Sequence, residues 1–230
     1  MSWVTRFLHA AWAVARKDLT VEIRSREIVY TTAFFAVACV LVFAFGLVEE
    51  GRAAANVAPA VLWIGIAFGG TLALGRTFDR ERQHATLPAL LLAPVERSAI
   101  YAGKLVALIL MMTVVEAVVV PLVGLLFGAP LGSAPHYLVA LLVLGTIGFA
   151  AVGTLFAAML GRSRSRDVLL PVLLYPITVP VLIAGVRGTG AVFQGGDGLP
   201  LALAWIGMLV FFDVVFITLA LWTFDVVMTD

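Results

Sequence analysis

Two carboxylates stand where carboxylates are costly. Glu116 is the single charged residue of the apolar stretch 105–127, and Asp213 is the single one of 201–224. A charged side chain at a bilayer centre costs roughly 2.5–3.5 kcal/mol on insertion scales, so it faces a partner or a wet cavity. Three roles are open to these two. They can hydrogen-bond between helices, a contact worth about 0.6 kcal/mol. They can line a substrate or proton pathway, or they can meet another subunit. The acid–base chemistry of an intramembrane aspartyl protease needs two aspartates, and this pair has one. The histidines are isolated: His9, His84 and His136 share no metal-ligand spacing. His136 can be weighed as an axial haem ligand, but no tryptophan-rich external segment accompanies it, and a lone histidine is more often a surface residue. Cys39 is the only cysteine, lies in an apolar stretch and reads as a small apolar residue. No H-E-x-x-H or G-x-S-x-G occurs, and Gly103 and Lys104 are followed by Leu105 with no glycine-rich loop before them, so a P-loop is excluded. The chain is expected not to hydrolyse ATP, and no catalytic residue, metal or bound cofactor is assigned to it.

The elements that must position the carboxylates follow from composition. Of 230 residues, 62% are hydrophobic and 13% charged, against about 45–50% and about 25% in an ordinary soluble domain. The excess falls into six runs, 28–48, 57–75, 105–127, 137–160, 168–186 and 201–224, each close to the roughly 20 residues that carry a helix across a bilayer. The ten-residue alternation of barrel strands is absent. An all-α membrane protein with six transmembrane helices follows. Of the 15 basic residues, all but Arg52 and Arg187 fall in the N-terminal stretch, in the second loop with the helix entrance beyond it, or in the fourth loop. By the positive-inside rule both termini are expected in the cytoplasm. The first run begins too far in for a cleavable signal and is expected to remain as a signal anchor.

Residues 1–27 read as a separate amphipathic helix, with 28–230 as the permease domain. Trp3, Phe7, Leu8, Ala11, Trp12, Ala15, Leu19 and Ile23 recur at helical spacing, opposite Arg6, His9, Arg16, Lys17, Thr20 and Arg24. A basic amphipathic helix with tryptophans on its apolar side lies in the bilayer interface. The second loop, 76–98, is the longest cytoplasmic one. It opens on Arg76, Asp79, Arg80, Glu81 and Arg82, and then Thr86 can cap a short helix that Pro94 ends. That helix would expose Leu87, Leu90 and Leu91, which need either lipid or a groove on a partner. In the fourth run Gly145, Gly148 and Gly153 suit close helix packing. In the fifth, Pro171, Pro176 and Pro180 predict a kinked helix buried inside protein. Residues 187–200, with five glycines, read as a flexible external loop.

Four segments, in order, resemble the haem exporter protein B family, the permease subunit of the ABC-type system for cytochrome c maturation. They are residues 57–63 (VAPAVLW); 76–81 (RTFDRE) running to 90–94 (LLLAP) and on to Gly103 and Lys104; 144–149 (LGTIGF) with Gly153 and Thr154; and 169–171 (LLP) through Pro176 to 180–183 (PVLI). The family's loop usually has a glycine where Ala85 stands and an acidic residue where Pro88 stands. The resemblance implies an ABC-2-type exporter permease in the bacterial inner membrane, bound to a separate cytosolic ATPase subunit and forming a homodimer within the complex. It further implies partnership with a haem-handling membrane protein and a haem chaperone, with ATP used by the partner subunit and haem as possible cargo. Arg80, Glu81, Arg82, Thr86, Leu87, Leu90 and Leu91 would then form the ATPase-coupling element, which raises the partner groove above the lipid reading. An ion-coupled secondary transporter working through Glu116 and Asp213, or a non-transporting scaffold, remain the rival classes; no nucleic acid is implied by any of them.

Overall fold

The computed structural model describes residues 3–49, 52–53, 55–83, 97–160, 163 and 165–227. Among them run α1 (Trp3–Ser25), α2 (Glu27–Gly46), α3 (Ala58–Gln83), α4 (Arg97–Phe127), α5 (Pro135–Met159), α6 (Arg166–Gln194) and α7 (Leu199–Val227). A two-residue antiparallel ladder, β1 (Val48–Glu49) on β2 (Arg52–Ala53), closes the turn between α2 and α3. Helices α2 to α7 supply six apolar segments long enough to cross a membrane. A helix satisfies its own backbone groups where water is absent, which is why apolar runs of this length fold no other way in lipid. The chain is an all-α, multi-pass membrane protein.

Three boundaries differ from those the apolar runs predict. Helix α3 continues through Gln83, and α4 starts at Arg97 rather than at Leu105. Neither extension contains a proline, and the helix runs unbroken through Gly103 in the second, so the charged ends simply prolong the rods. The expected glycine-rich loop over 187–200 is mostly helix: α6 runs to Gln194, leaving Gly195, at φ 68°, and the 3-10 turn Gly196–Gly198. Gly188 is small because of packing, since a Cβ there would stand 2.6 Å from Leu141 Cδ2 on α5.

Helices α2, α3 and α4 pack as one group and α5, α6 and α7 as another, joined where α5 meets α4 and where α3 meets α5 and α6. The membrane-crossing parts of α3 and α5 are two-thirds buried (67% each), against 33% for α6 and 22% for α7. The proline-bearing α6 is thus not the inner helix it was expected to be. Val168, Val172 and Ile183 are exposed on it, while Thr178, Gly185 and Gly188 turn its other side inward. The helix stays continuous through Pro171, Pro176 and Pro180, each of which removes the N–H that would bond the carbonyl four residues earlier. Burial follows the small-residue face, not the prolines.

Helix α1 packs along α4. A Cβ at Gly103 would lie 2.5 Å from the Ala11 carbonyl oxygen and 2.7 Å from Val14 Cβ, so the two backbones touch there. The apolar side read from the sequence is divided between two environments. Ala11, Val14 and Ala15 are buried against the bundle, whereas Leu8, Trp12 and Ile23 are more than half exposed. Asp18 and Glu22 lie on the buried side. Glu22 Oε1 accepts a 2.8 Å bond from the Val29 N–H, satisfying one of the orphan donors at the start of α2 with a charge that suits a helix N-terminus. Between the two helices Arg26 turns the chain at φ 54°.

Candidate functional site

The site is built on α5, which lies between the two carboxylates. Glu116 projects from α4 and accepts a hydrogen bond from the Thr146 hydroxyl on α5, at Oε1. Glu116 is 7% exposed and Thr146 1%. Asp213 projects from α7 and is 6% exposed. Its Oδ1 lies against Gly148 of α5, where a Cβ would stand only 2.6 Å away, with Phe212 and Val181 closing the same space. Among the described residues neither oxygen of Asp213 has a hydrogen-bond partner.

Thr146 and Gly148 are two residues apart, about 200° around the helix and about 3 Å along it. The carboxylates therefore meet α5 from different sides at nearly one depth. Among the described residues no hydrogen bond joins the two carboxylates. What the arrangement offers is one carboxylate tied into the packing and one buried with no hydrogen-bond partner among the described residues, a condition that calls for an explanation in a native structure.

The three glycines read from the fourth apolar run all sit where a neighbour presses on α5. Trp63 of α3 fills the space at Gly145 and also that at Gly185 of α6, and Leu74 of α3 fills the space at Gly153. The Trp63 indole N–H donates to Thr189 Oγ1 at 3.0 Å, pinning α3 to α6. On the other side the Tyr101 hydroxyl of α4 donates to the Ala151 carbonyl of α5 at 3.0 Å. These glycines admit large side chains from the neighbouring helices rather than their backbones.

Of the residues assigned to a coupling element, Arg80, Glu81 and Arg82 belong to the last turns of α3, with side chains outside the described residues, and Thr86, Leu87, Leu90 and Leu91 fall wholly outside them. The two helices that lead into that segment are each held from the side. Arg166, 2% exposed at the start of α6, donates from its guanidinium to the carbonyls of Leu74 (3.3 Å) and Gly75 (3.1 Å) on α3. Lys104 of α4, also 2% exposed, pairs with Asp18 of α1 at 3.5 Å, and Asp18 further pairs with Lys17 at 3.0 Å. Sequence reasoning counted Lys104 and Arg166 as loop charges and assigned Asp18 and Glu22 no role. The signal was present in Asp18 and Glu22, acids four apart on the apolar side of an otherwise basic helix, where an unpaired charge is not tolerated. His9 and His136 are exposed, and His136 stacks obliquely on Tyr137 with ring centres 4.4 Å apart.

The same chain matches a known family model over residues 9–228, that of the CcmB protein. It is 35% identical over 165 residues to Heme exporter protein B of Paracoccus denitrificans, covering 72% of this chain and 75% of that protein. To Heme exporter protein B of Rhodobacter capsulatus it is 32% identical over 177 residues, 74% of this chain and 78% of that one. The protein of the same name from Pseudomonas aeruginosa is 27% identical over 188 residues, 81% and 82% of the two chains. The matched residues run from the middle of α1 to the end of α7, so they take in both carboxylates, the inner helices and both lateral clamps, and on that extent the chain belongs to the CcmB protein family.

Proposed function

We propose that this chain is the membrane subunit of an ATP-driven complex that serves cytochrome c maturation by exporting haem or by releasing a haem-loaded chaperone. The ATPase is a separate cytosolic subunit, since this chain carries no nucleotide-binding motif. The reading rests on family membership. The observation that supports coupling is mechanical: α3 has 26 residues and α4 has 31, where about 20 suffice to cross the bilayer. Both rods thus extend toward segment 84–96, and each is gripped near that end by a buried cation, Arg166 for α3 and Lys104 for α4. A push on the segment by a nucleotide-driven partner is passed through the first clamp to α6 and through the second to α1. Arg80, Glu81, Arg82, Thr86, Leu87, Leu90 and Leu91 form the contact in this reading, with the leucines as apolar anchors and the charges at the rim. A homodimer of this chain, a haem-handling membrane protein and a haem chaperone complete the assembly in the bacterial inner membrane, with both termini in the cytoplasm.

The complex purified from cells tests this. Buried apolar anchors contribute about 2 kcal/mol or more to an interface, and rim charges less. Leu90→Asp and Leu91→Asp should therefore abolish copurification of a nucleotide-binding subunit while membrane insertion is unchanged. Wild-type copurification by both variants would remove the coupling assignment. The orientation is tested separately at Gly132, which is exposed in the turn between α4 and α5. Gly132→Cys should react with an impermeant maleimide in intact cells, and reaction only after permeabilisation would invert the topology.

A further inference from the structure

Helices α1, α2 and α4 enclose a groove of about 510 Å³ at the corner where α1 gives way to the first membrane-crossing helix, within the ~300–1,000 Å³ of ordinary ligand pockets. Its wall is apolar: Leu19 and Ile23 from α1, Val29 from α2, and Leu110, Met111 and Val114 from α4. Its mouth is not. Arg26 and Tyr30 stand there, both exposed, with the Arg26 guanidinium 3.4 Å from the Tyr30 hydroxyl. Two carboxylates bear on it, Glu22 in the lining itself and Glu27 at the start of α2, and both are already engaged. Glu22 accepts from the Val29 N–H, and Glu27 is paired with Arg76 at 2.9 Å. The end of α2 that faces the mouth is its N-terminus, which carries partial positive charge. Arg24, exposed in the last turn of α1, adds to the same sign.

From this combination we infer that the groove is a binding site for one anionic phospholipid, its phosphate on Arg26 at the α1–α2 corner and one acyl chain along α4. The charge of the mouth selects the occupant: an apolar slot alone takes any acyl chain, but a slot opening on an arginine beside a helix N-terminus favours a chain that carries a negative headgroup. The depth agrees. An amphipathic helix docked beside a membrane-crossing one places their corner at the boundary between headgroups and acyl chains, where basic residues attract anionic lipid. The bound lipid would fill the angle between α1 and α4 and so stiffen the joint that Lys104 and Asp18 hold on the neighbouring turn.

The test uses the purified full chain in detergent, with native mass spectrometry after titration of dioleoyl phosphatidylglycerol or dioleoyl phosphatidylcholine. One basic residue near an anionic surface changes affinity by about fivefold, so the wild type should retain its first phosphatidylglycerol about fivefold better than its first phosphatidylcholine. Arg26→Asn removes the charge, and asparagine tolerates the left-handed backbone of that position; it should erase the preference. Val114→Trp, at a half-exposed position on the wall, should weaken binding of the first lipid with either headgroup. Inorganic phosphate in excess should not displace phosphatidylglycerol, because it lacks the chain. Equal retention of the two lipids by the wild type would mean ordinary boundary lipid and overturn the inference, as would a preference that survives Arg26→Asn or displacement by phosphate. Unchanged lipid binding by Val114→Trp, with loss of a membrane partner from the complex, would assign the groove to a partner helix instead.

Discussion

The two sides of α5 treat a buried carboxylate differently. Toward α4, Glu116 meets a hydroxyl donor, Thr146, supplied at the matching height. Toward α7, Asp213 meets a glycine, and its Oδ1 shares the space at Gly148 with the Phe212 ring and a Val181 methyl. Both groups are about equally buried, yet only one has a hydrogen-bond partner among the described residues. A satisfied polar contact between helices is what structure alone requires. An uncompensated one persists only where something outside packing retains it. From this contrast we propose that Glu116 belongs to the scaffold and Asp213 to function.

Filling the space that Asp213 occupies should have the largest effect. Gly148→Leu drives a side chain into Asp213, Phe212 and Val181, and forced overpacking costs about 1–3 kcal/mol or more. The variant is expected to lose most of its thermal stability in detergent, as read by a size-exclusion melting series. Gly207, with open space around it, is the control: Gly207→Ala should melt with the wild type or slightly above it. If Gly148→Leu melts with the control, the α5–α7 contact is looser than described and the contrast between the two sides fails.

A smaller effect is expected on the other side. Thr146→Val keeps the shape of the side chain and removes the donor to Glu116. Hydrogen bonds between membrane helices average about 0.6 kcal/mol and reach about 1.7, so stability should fall within that range while activity is retained. A loss of activity without a loss of stability would move Glu116 to the functional side and erase the distinction.

Much of this architecture was legible beforehand because its cause is local. A run of about twenty apolar residues crosses a membrane whatever its neighbours do, so the six spans could be read to within a few residues at most ends. Positions 187–194 could not. Glycines there looked like a loop by composition, but Gly188 is small because Leu141 from another helix occupies the adjacent space. The same limit applies to α6, where prolines suggested an inner helix and the partners of Thr178 and Gly185 decided otherwise. Both carboxylates could be found from the sequence, since a lone charge in an apolar run needs no tertiary information. That Thr146 serves one and nothing among the described residues serves the other depends on how α4 and α7 are rotated against α5. Single-sequence periodicity does not record that rotation. Lys104 and Arg166 show the same thing from the opposite direction: charges at the ends of apolar runs read as solvated, and two of them are buried clamps.

The most direct test is holo-cytochrome c production in a bacterial strain lacking its own copy of this protein, complemented in turn with the wild type, Glu116→Gln and Asp213→Asn. Membrane level and copurified ATPase subunit are measured for each. The wild type should restore c-type cytochromes, and Glu116→Gln should restore most of them. Asp213→Asn, which breaks no hydrogen bond among the described residues and removes a buried ionisable group, should accumulate and assemble normally yet fail to restore them. Full restoration by Asp213→Asn would contradict the functional assignment of that carboxylate, and failure of the wild type itself to restore c-type cytochromes would contradict the proposed role of the chain.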